Sequence, residues 1–317
     1  MMPVSEFDII EQVFKARALT RDNVICGIGD DGAITEVPSG QQLVVSTDTL
    51  ISGVHFFPDA DPFDIGYKSL AVNLSDMAAM AAEPLWFTLA LTLPDNSINW
   101  AQTYANGLFA LANQYNVALI GGNMSRGPLS ITITIMGTVP SGQALKRSGA
   151  RAGDDIYVTG QLGMAAFALA AVKDKTAPPL ACLNRLNRPE PRVEAGIAIR
   201  NSANAGIDIS DGLAADLSHL LKASKVGARI ELAAIPLSAE LLKLDEDTRC
   251  KYALCSGDDY ELCFTAPVQN RQLIEQAMQR AACQFSRIGQ IASETGVHWM
   301  NANGTNRKLS GSGYRHF

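Results

Sequence analysis

The sequence has few aromatic residues and no dense run of basic ones. Aromatic side chains make up 7% of its 317 residues, and acidic residues outnumber Lys and Arg, which gives a net charge of -6. Proteins that bind nucleic acids or anionic membranes broadly rely on clustered Lys and Arg. We therefore expect neither kind of partner.

Paired cysteines and long apolar runs are lacking too. The 6 cysteines are scattered and none forms a C-x-x-C pair, which argues against structural zinc. We expect reduced thiols and a cytoplasmic protein. Glu6, Asp8 and Glu11 interrupt the apolar residues of the N-terminal stretch, so no signal peptide is predicted. No run of about 18 apolar residues occurs, so no membrane-spanning helix is expected.

Two common nucleotide-binding signatures are also missing. The chain has no G-x-x-x-x-G-K-[ST] loop and no H-R-D or D-F-G sequence, which argues against a P-loop enzyme and a protein kinase. What it does have is a hydrophobic fraction of 47% over 317 residues. This composition is typical of a globular protein, and the length predicts two domains.

The order of predicted elements indicates an α+β fold. Apolar residues at helical spacing predict a helix over 5–18. A longer helix is predicted after Asp61, which is suited to cap it, with Pro62 at its first position. Alternation over 129–139 predicts a strand. We expect layers of sheet and helices rather than one parallel sheet.

A segment rich in Gly, Ser and basic residues occupies 140–154 and predicts a domain boundary. We place an N-terminal α/β domain at 1–148 and a C-terminal α/β domain at 149–317. Within the second domain, predicted strands alternate with predicted helices from 155–160 to 285–292.

Aspartates recur in a glycine turn, at strand ends and on an apolar helix. They are Asp30 in GIGDDGAI, Asp48 at the end of VVSTD, Asp76 in AVNLSDMAAM, and Asp208 and Asp211 in GIDISDGL. A carboxylate beside a second acid or among apolar residues needs a partner, because like charges repel and buried charge is costly. Hard cations such as Mg²⁺ prefer oxygen ligands and bridge carboxylates to phosphates. The pattern therefore favours a magnesium site that serves a polyphosphate substrate.

Each of these acids also has a structural explanation. Asp-Asp-Gly is common in solvated turns, which would account for Asp30. A salt bridge to one Lys or Arg would account for Asp76. Ser210 or Asp211 would cap a helix that begins after them, although capping does not explain Asp208.

Other residues suit a phosphate site. Gly121 and Gly122 end a predicted strand, where the backbone is able to approach a ligand, and Asn123 follows them. Arg147 is suited to pair with phosphate as a planar fork, and His55 to contact a second substrate. A surface charge and a solvent-facing loop histidine are the alternative explanations of these last two residues.

Nine segments that follow one another along the chain carry a resemblance to a known family. They are SEFDIIEQVF, GIGDDGAI, VVSTDTLISGVHF, GYKSLAVNLSDMAAMAAEP, GGNMSRGPLSITIT, KRSGARAGDDIYVTGQLG, GIDISDGLAADL, SGDDYELCF and GYRHF. Together they resemble the thiamine-monophosphate kinases, which belong to the superfamily of aminoimidazole ribonucleotide synthetase. The resemblance implies ATP-dependent conversion of thiamine monophosphate to thiamine diphosphate, the last step of thiamine diphosphate biosynthesis.

The resemblance further implies several Mg²⁺ ions per site, ATP as co-substrate, and a homodimer whose N-terminal sheets join. The metal ligands or their neighbours would be Asp30, Ser46, Thr47, Asp48, Asp76, Asn123, Asp208 and Asp211. ATP would lie against Tyr104, Gly121, Gly122, Arg147 and Ser210. Thiamine monophosphate would contact His55, Asp258, Glu261 and Tyr314. The residues central to catalysis would be Asp30, Asp48, Asp76, Asp211 and Arg147.

The implied reaction is direct in-line phosphoryl transfer. Its nucleophile is a phosphate oxygen that is already ionised, so no strong base is required, and catalysis is positioning and charge neutralisation. Two positions depart from the family: Asn123 replaces the usual aspartate and Asp258 a frequent glutamate. Alternatives are another ATP-dependent enzyme of the superfamily and a non-catalytic nucleotide-binding regulator.

Overall fold

The computed structural model describes residues 5–309, 311, 313 and 314. The chain divides into two compact units, the first made of residues up to 77 and 82–142 and the second of residues 78–81 and those from 143 onward. The division falls after Gly142, whereas the composition placed it after 148. Residues after Gly142 contact the second unit, where the N–H of Leu145 donates a hydrogen bond at 3.1 Å to the carbonyl oxygen of Met80.

The first unit is built on a four-stranded sheet. Its helices are α1 (Glu6–Ile9), α2 (Pro62–Ala79) and α3 (Ile98–Gln114), and α1 continues into a π-helical stretch (Ile10–Phe14) and a 3-10 turn (Lys15–Arg17). Its strands are β1 (Val24–Cys26), β2 (Ile34–Thr35), β3 (Gln41–Ile51), β4 (Glu83–Leu93), β5 (Ala118–Arg126) and β6 (Ser130–Pro140). The sheet order is β3-β6-β4-β5, and β1 pairs with β2 separately. Only β4 and β5 pair in parallel within this sheet of the described chain.

Helix α2 and strand β6 lie where the sequence predicts them. The Oδ1 atom of Asp61 accepts a hydrogen bond at 2.8 Å from the backbone N–H of Phe63, as expected of a capping aspartate. Ile131, Ile133 and Ile135 of β6 are buried, and they alternate with half-buried residues. Both local predictions are confirmed, because a cap decides where the helix starts and a residue period decides the strand.

Helices α2 and α3 approach closely at two glycines. A Cβ atom added at Gly66 would lie 2.0 Å from the carbonyl oxygen of Tyr104, and one at Gly107 would lie 1.8 Å from that of Phe63. No rotamer relieves such a collision, because the atom that is hit belongs to the backbone. The two glycines therefore set the distance between the helices.

Gly66→Ala is expected to lower the free energy of unfolding by about 2–3 kcal/mol, because the helices must move apart to admit a methyl group. Urea denaturation followed by circular dichroism would measure the change. Gly32→Ala is the matched control, since no atom lies within 4 Å of a Cβ atom added there. Equal stability of the two variants would show that the helix contact tolerates separation.

The second unit carries a seven-stranded sheet in the order β13-β12-β9-β11-β7-β10-β8. Its strands are β7 (Asp155–Thr159), β8 (Ala205–Asp208), β9 (Gly227–Glu231), β10 (Leu262–Ala266), β11 (Phe285–Ala292), β12 (Gly296–Met300) and β13 (Asn306–Arg307). Its helices are α4 (Met164–Lys173), α5 (Leu180–Asn187), α6 (Val193–Ile199), α7 (Leu213–Ser224), α8 (Glu246–Cys255) and α9 (Arg271–Arg280). Short 3-10 turns occupy Leu232–Ala234, Leu241–Lys243 and Val268–Asn270.

The fold class predicted from the sequence is confirmed, since each unit combines mixed sheet with helices. The core of the second unit lies between its sheet and helix α7, where Ile207, Leu217, Leu220 and Ile230 are almost fully buried. In the part of the chain that the structure describes, no helix is both long and apolar enough to cross a membrane.

Candidate active site

Two carboxylates and a hydroxyl meet in the first unit, between strand β3 and helix α2. The Ser46 Oγ atom donates a hydrogen bond to Asp76 Oδ2 at 2.5 Å. Asp48 lies two residues further along β3 and so on the same face as Ser46. Burial raises the pKa of Asp48 to about 6, and the charge of Asp76 and a hydrogen bond with it add to the shift. The structure thus brings together three of the predicted metal-site residues.

The side chain of Thr47 lies on the opposite face of β3. Its Oγ1 atom is 2.9 Å from that of Thr134 on β6, and Thr47 is exposed. Because strand side chains alternate between faces, the sheet itself separates the Thr47 hydroxyl from the Ser46 hydroxyl and the Asp48 carboxylate. If Thr47 supports a metal beside Ser46 and Asp48, it therefore does so through its backbone atoms and not through its hydroxyl.

Asp30 lies in an exposed turn. Its Oδ1 atom accepts a hydrogen bond at 2.8 Å from the backbone N–H of Asp31, an arrangement typical of a solvated aspartate turn. Across the residues that the structure describes, no three His, Cys, Asp or Glu side chains are grouped so as to hold a metal ion. Asp30 is therefore not assembled with Asp48 and Asp76 into a three-carboxylate site.

The glycine pair on β5 has a packing explanation. A Cβ atom at Gly122 would lie 2.0 Å from the carbonyl oxygen of Leu89, whereas Gly121 has no such neighbour nearer than 3.9 Å. The neighbouring strand therefore requires the second glycine, while the first leaves backbone open to a ligand.

Asn123 follows this pair on β5. Its Nδ2 atom donates a hydrogen bond at 3.0 Å to Ser125 Oγ. In the strand register Asn123 aligns with Ala90 of β4, whereas Asp48 falls in the adjacent row that leads to Gly122. Adjacent rows face opposite sides of a sheet, so Asn123 is not brought together with Asp48 here.

His55 occupies a tight turn after β3. Its Nδ1 atom accepts a hydrogen bond at 2.9 Å from the backbone N–H of Ile51, which places the proton of the neutral ring on Nε2. Lys68 of helix α2 is buried, and its Nζ atom lies 3.5 Å from the His55 carbonyl oxygen. Lys68 is eight residues before Asp76, which is the spacing of one helix face.

Lys68 is a candidate that the sequence reasoning missed. A lysine is rarely buried unless its charge is used, and only 4% of this residue is exposed. One feature of the sequence pointed to it: Lys68 is a single basic residue in GYKSLAVNLSDMAAMAAEP, where the residues around Asp76 are otherwise mostly apolar or small.

Tyr104 is fully buried in the first unit. Its hydroxyl oxygen is 3.0 Å from Ser69 Oγ, and its ring stacks on Trp100 with centroids 5.3 Å apart. Burial raises the pKa of the phenol far above its usual value. The contact of Tyr104 with ATP stays a prediction. Such a contact would require exposed surface on Tyr104, and this packing leaves none.

In the second unit, three separate segments are joined by backbone hydrogen bonds. The N–H of Asp258 donates to the carbonyl oxygen of Ser210 at 2.8 Å. The N–H of Tyr314 donates to that of Asp211 at 3.0 Å. These bonds bring together Ser210 and Asp211, predicted for ATP and metal, with Asp258 and Tyr314, predicted for the second substrate.

The segment 257–260 has an unusual backbone. Gly257, Asp258 and Tyr260 have φ angles of 73°, 63° and 51°, in the left-handed region. Non-glycine residues pay a conformational cost there, and such residues concentrate at functional sites. A Cβ atom at Gly257 would lie 2.2 Å from the Ser210 carbonyl oxygen, so the glycine permits the close contact.

The predicted capping of helix α7 by Ser210 or Asp211 is wrong. Gly212 is the residue before the helix and contributes no side chain. Instead Asp216, one turn into α7, folds back, and its Oδ2 atom accepts hydrogen bonds from the N–H groups of Asp211 at 3.0 Å and Gly212 at 3.1 Å. Burial raises the pKa of Asp216 to about 7 despite these bonds. Asp211 is thereby left available for another role.

Asp208 and Arg147 differ in exposure. Asp208 ends strand β8 and is buried. Arg147 is exposed, and its carbonyl oxygen accepts a hydrogen bond at 2.9 Å from Ser224 Oγ. The structure thus leaves the guanidinium on the surface of the second unit.

Glu261 is fully buried and bound on both carboxylate oxygens. Arg192 donates to it through Nε at 2.6 Å and Nη2 at 2.7 Å, and Thr159 Oγ1 donates at 2.6 Å. A bidentate ion pair of this kind indicates a structural role. Its predicted contact with substrate is disfavoured by this burial, and Asp258 is the acid of the segment that retains exposed surface.

Both halves of the chain match a known family. Residues 29–139 match the N-terminal domain of AIR synthase related proteins, and residues 151–299 match the C-terminal domain. The thiamine-monophosphate kinase of Escherichia coli K12 is 45% identical over 322 aligned positions that cover 100% of this chain and 99% of that protein.

Solved structures agree with this similarity. The crystal structure of thiamine-monophosphate kinase from Stenotrophomonas maltophilia K279a is 46% identical, covers 96% of this chain and 99% of its own, and has a TM-score of 0.87. A structure of AaThiL complexed with AMPPCP and TMP is 30% identical, covers 100% and 99% of the two chains, and has a TM-score of 0.76.

Proposed function

The chain belongs to the thiamine-monophosphate kinase family of AIR synthase related proteins, and on that premise we propose that it transfers the γ-phosphoryl group of ATP to thiamine monophosphate, giving thiamine diphosphate. The observation that carries this function is similarity along the whole chain to thiamine-monophosphate kinases, one of them solved with AMPPCP and TMP. It favours this reaction over the other enzymes of the superfamily and over a non-catalytic regulator.

The pair Asp48 and Asp76, with Ser46 beside it, suits Mg²⁺. All the donor atoms are oxygens, and the two acids are close enough to raise the pKa of Asp48. A bound cation would relieve that repulsion, and Mg²⁺ usually binds through one or two carboxylates together with waters and phosphates. When bound, Mg²⁺ would neutralise charge on the phosphates. That Asp30, Asp208 and Asp211 also bind metal, as the family resemblance implies, stays a prediction.

The protein groups would then act by positioning. The attacking phosphate oxygen is ionised near neutral pH, so no residue is needed to remove a proton. Arg147 would pair with phosphate oxygens, and His55 would contact the substrate phosphate. Ser210 would lie at the nucleotide, and Asp258 at thiamine monophosphate.

Tyr314→Ala is expected to raise the KM for thiamine monophosphate about tenfold, because an aromatic face attracts a cationic ring. The KM for ATP should stay unchanged. Steady-state kinetics with each substrate varied in turn would measure both constants. Tyr314→Phe is the matched control, because it keeps the ring, and a tenfold effect of this variant too would assign the role to the hydroxyl instead.

We propose that the protein is a homodimer formed through the first unit. Strand β3 is an edge of the described sheet, and Leu43, Val45 and Ile51 of its outer face are 47%, 54% and 43% exposed. Exposed apolar side chains grouped on one face are typical of an interface. A second copy of the same face supplies a matching apolar surface, as symmetric dimers require.

Val45→Lys is expected to raise the dimer dissociation constant at least about tenfold, which corresponds to about 1.4 kcal/mol. Sedimentation equilibrium over a range of protein concentrations would measure it. Gln114→Lys, on the exposed end of α3, is the matched control. Dimers of unchanged affinity in the first variant would move the interface elsewhere.

We infer a cytoplasmic location from the reaction and the cysteines. The substrate ATP is abundant there, and all 6 cysteines, each within the described residues, are unpaired, as expected in a reducing compartment.

A coupled assay with purified protein, ATP, Mg²⁺ and thiamine monophosphate tests the function. We expect equimolar ADP and thiamine diphosphate by chromatography, and neither product when unphosphorylated thiamine replaces the substrate. ADP without thiamine diphosphate would reassign the acceptor. If no ADP forms with any divalent cation, the proposed kinase function is wrong. The replacement of the usual aspartate by Asn123 would then be the first explanation to test.

A further inference from the structure

A cavity of about 530 Å³ lies within the second unit, apart from the residues proposed for catalysis. Its walls are helix α8, the 3-10 turn Leu232–Ala234 and the turn that joins β12 to β13. Sites for small organic ligands have volumes of about 300–1,000 Å³, an apolar lining and a few polar groups. The size of this cavity is within that range.

The lining combines an apolar floor with a charged rim. Leu232, Ile235 and Leu254 contribute apolar surface, and Arg249 and Arg307 contribute positive charge. Burial raises the pKa of Cys250, which also lines the cavity, so its thiol is neutral. The floor of the cavity is therefore uncharged, so the charged residues at the rim decide which charge a ligand must carry.

The two arginines of the rim are not equivalent. Arg307 donates hydrogen bonds to Glu246 and Asp247 of helix α8, which neutralise it. The guanidinium of Arg249 has no side-chain partner among the residues that the structure describes. One positive charge at the rim is thus left without a counterion.

We propose that this cavity binds a small organic monoanion, whose apolar body lies on Leu232, Ile235 and Leu254 and whose anionic group pairs with Arg249. A cation is disfavoured because Arg307 already occupies the carboxylate of Glu246. A polyphosphate is disfavoured because a single unpaired arginine would face it, with the acid Glu246 at the same rim. The site is separate from the kinase reaction and does not depend on it.

The probe for the test is 8-anilinonaphthalene-1-sulfonate, a monoanion with an apolar body that fluoresces in apolar surroundings. N-phenyl-1-naphthylamine, which lacks the sulfonate, is the neutral comparison. Titrations in saturating ATP without thiamine monophosphate keep the nucleotide site filled. We expect one saturable site for the anion in the wild-type protein.

Arg249→Gln should weaken binding of the anionic probe about tenfold to 150-fold, the range for a lost charge-assisted hydrogen bond, while binding of the neutral probe stays within about twofold. Arg280→Gln, on the exposed end of α9, is the matched control and should change neither. Ala302→Trp should block both probes, since Ala302 lines the cavity and is exposed in its turn. Thermal melts of each variant would verify folding.

Three results would overturn the proposal. They are the absence of saturable binding, equal loss of both probes in Arg249→Gln, and an anion affinity that Ala302→Trp leaves unchanged. Because binding is measured without turnover, an inactive protein that still binds the probe would refute the kinase function alone.

Discussion

Asp76→Asn is expected to lower kcat about a thousandfold, the scale on which removal of one electrostatic group at a transition state is felt. The substitution keeps the shape of the side chain but removes the negative charge of Asp76, which lies beside Ser46 and Asp48. Without that charge the pair would hold Mg²⁺ poorly, and the phosphates of both substrates would repel each other. The fold should persist, because Asp76 is only half-buried and the amide still accepts the Ser46 hydrogen bond.

Three controls separate this explanation from a structural one. Asp31→Asn changes an exposed acid to which no site role is assigned, and should leave kcat unchanged. Ser46→Ala removes a hydroxyl and its hydrogen bond but keeps both carboxylates, and should cost far less than the loss of the carboxylate. A Mg²⁺ titration of each variant would distinguish weaker metal binding from slower transfer. Near-normal turnover of Asp76→Asn at saturating Mg²⁺ would contradict the shared-metal site.

Arg192→Gln is expected to lower the free energy of unfolding of the second unit by about 3–5 kcal/mol. Glu261 has no exposed surface. Among the described residues, Arg192 is the only positively charged side chain that donates hydrogen bonds shorter than 3 Å to its carboxylate, and it donates two of them. Removing one partner of a buried pair leaves an uncompensated charge, which is costlier than the pair itself. Arg185, at 3.4 Å from Glu261 Oε1, would compensate in part.

Trp299 on β12 offers a local probe, because the other two tryptophans, Trp86 and Trp100, belong to the first unit. Urea unfolding followed by its fluorescence would measure the loss. Arg271→Gln is the matched control, since its partner Asp155 keeps a second arginine, Arg287. A double-mutant cycle with Glu261→Gln should return most of the lost stability, because both charges are then absent.

The same variants decide the role of Glu261. If it acts only through the ion pair, Glu261→Gln should leave the KM for thiamine monophosphate unchanged in protein that is still folded. A raised KM without lost stability would restore the substrate contact that the family resemblance implies.

What could be predicted from the sequence is mostly local. Asp61 and Pro62 marked the start of α2, and alternation marked β6, because caps and residue periods act over a few positions. The short helix α5 and strands β12 and β13 were missed. They are too short to show a period, and their pairing with distant parts of the sheet decides them.

The candidate site shows the same division. Ser46, Asp48 and Asp76 are three of the eight residues that the family resemblance implies for the metal, and the structure places these three together. The pairing of Glu261 with Arg192 joins residues 69 positions apart in the sequence, and no local sequence pattern predicts it. Asp216 was missed as well, because its role depends on folding back onto the start of its own helix.

The backbone bonds between the segments 209–212 and 257–261 have a consequence for motion. The N–H of Ile209 donates to the carbonyl oxygen of Glu261, and the N–H of Tyr260 donates in return to that of Ile209, both at 2.8 Å. Neither segment is able to open without breaking the bonds of the other. The amide hydrogens of Ile209, Asp258 and Tyr260 should therefore exchange with deuterium at one common rate, which makes the two loops a single unit of local unfolding.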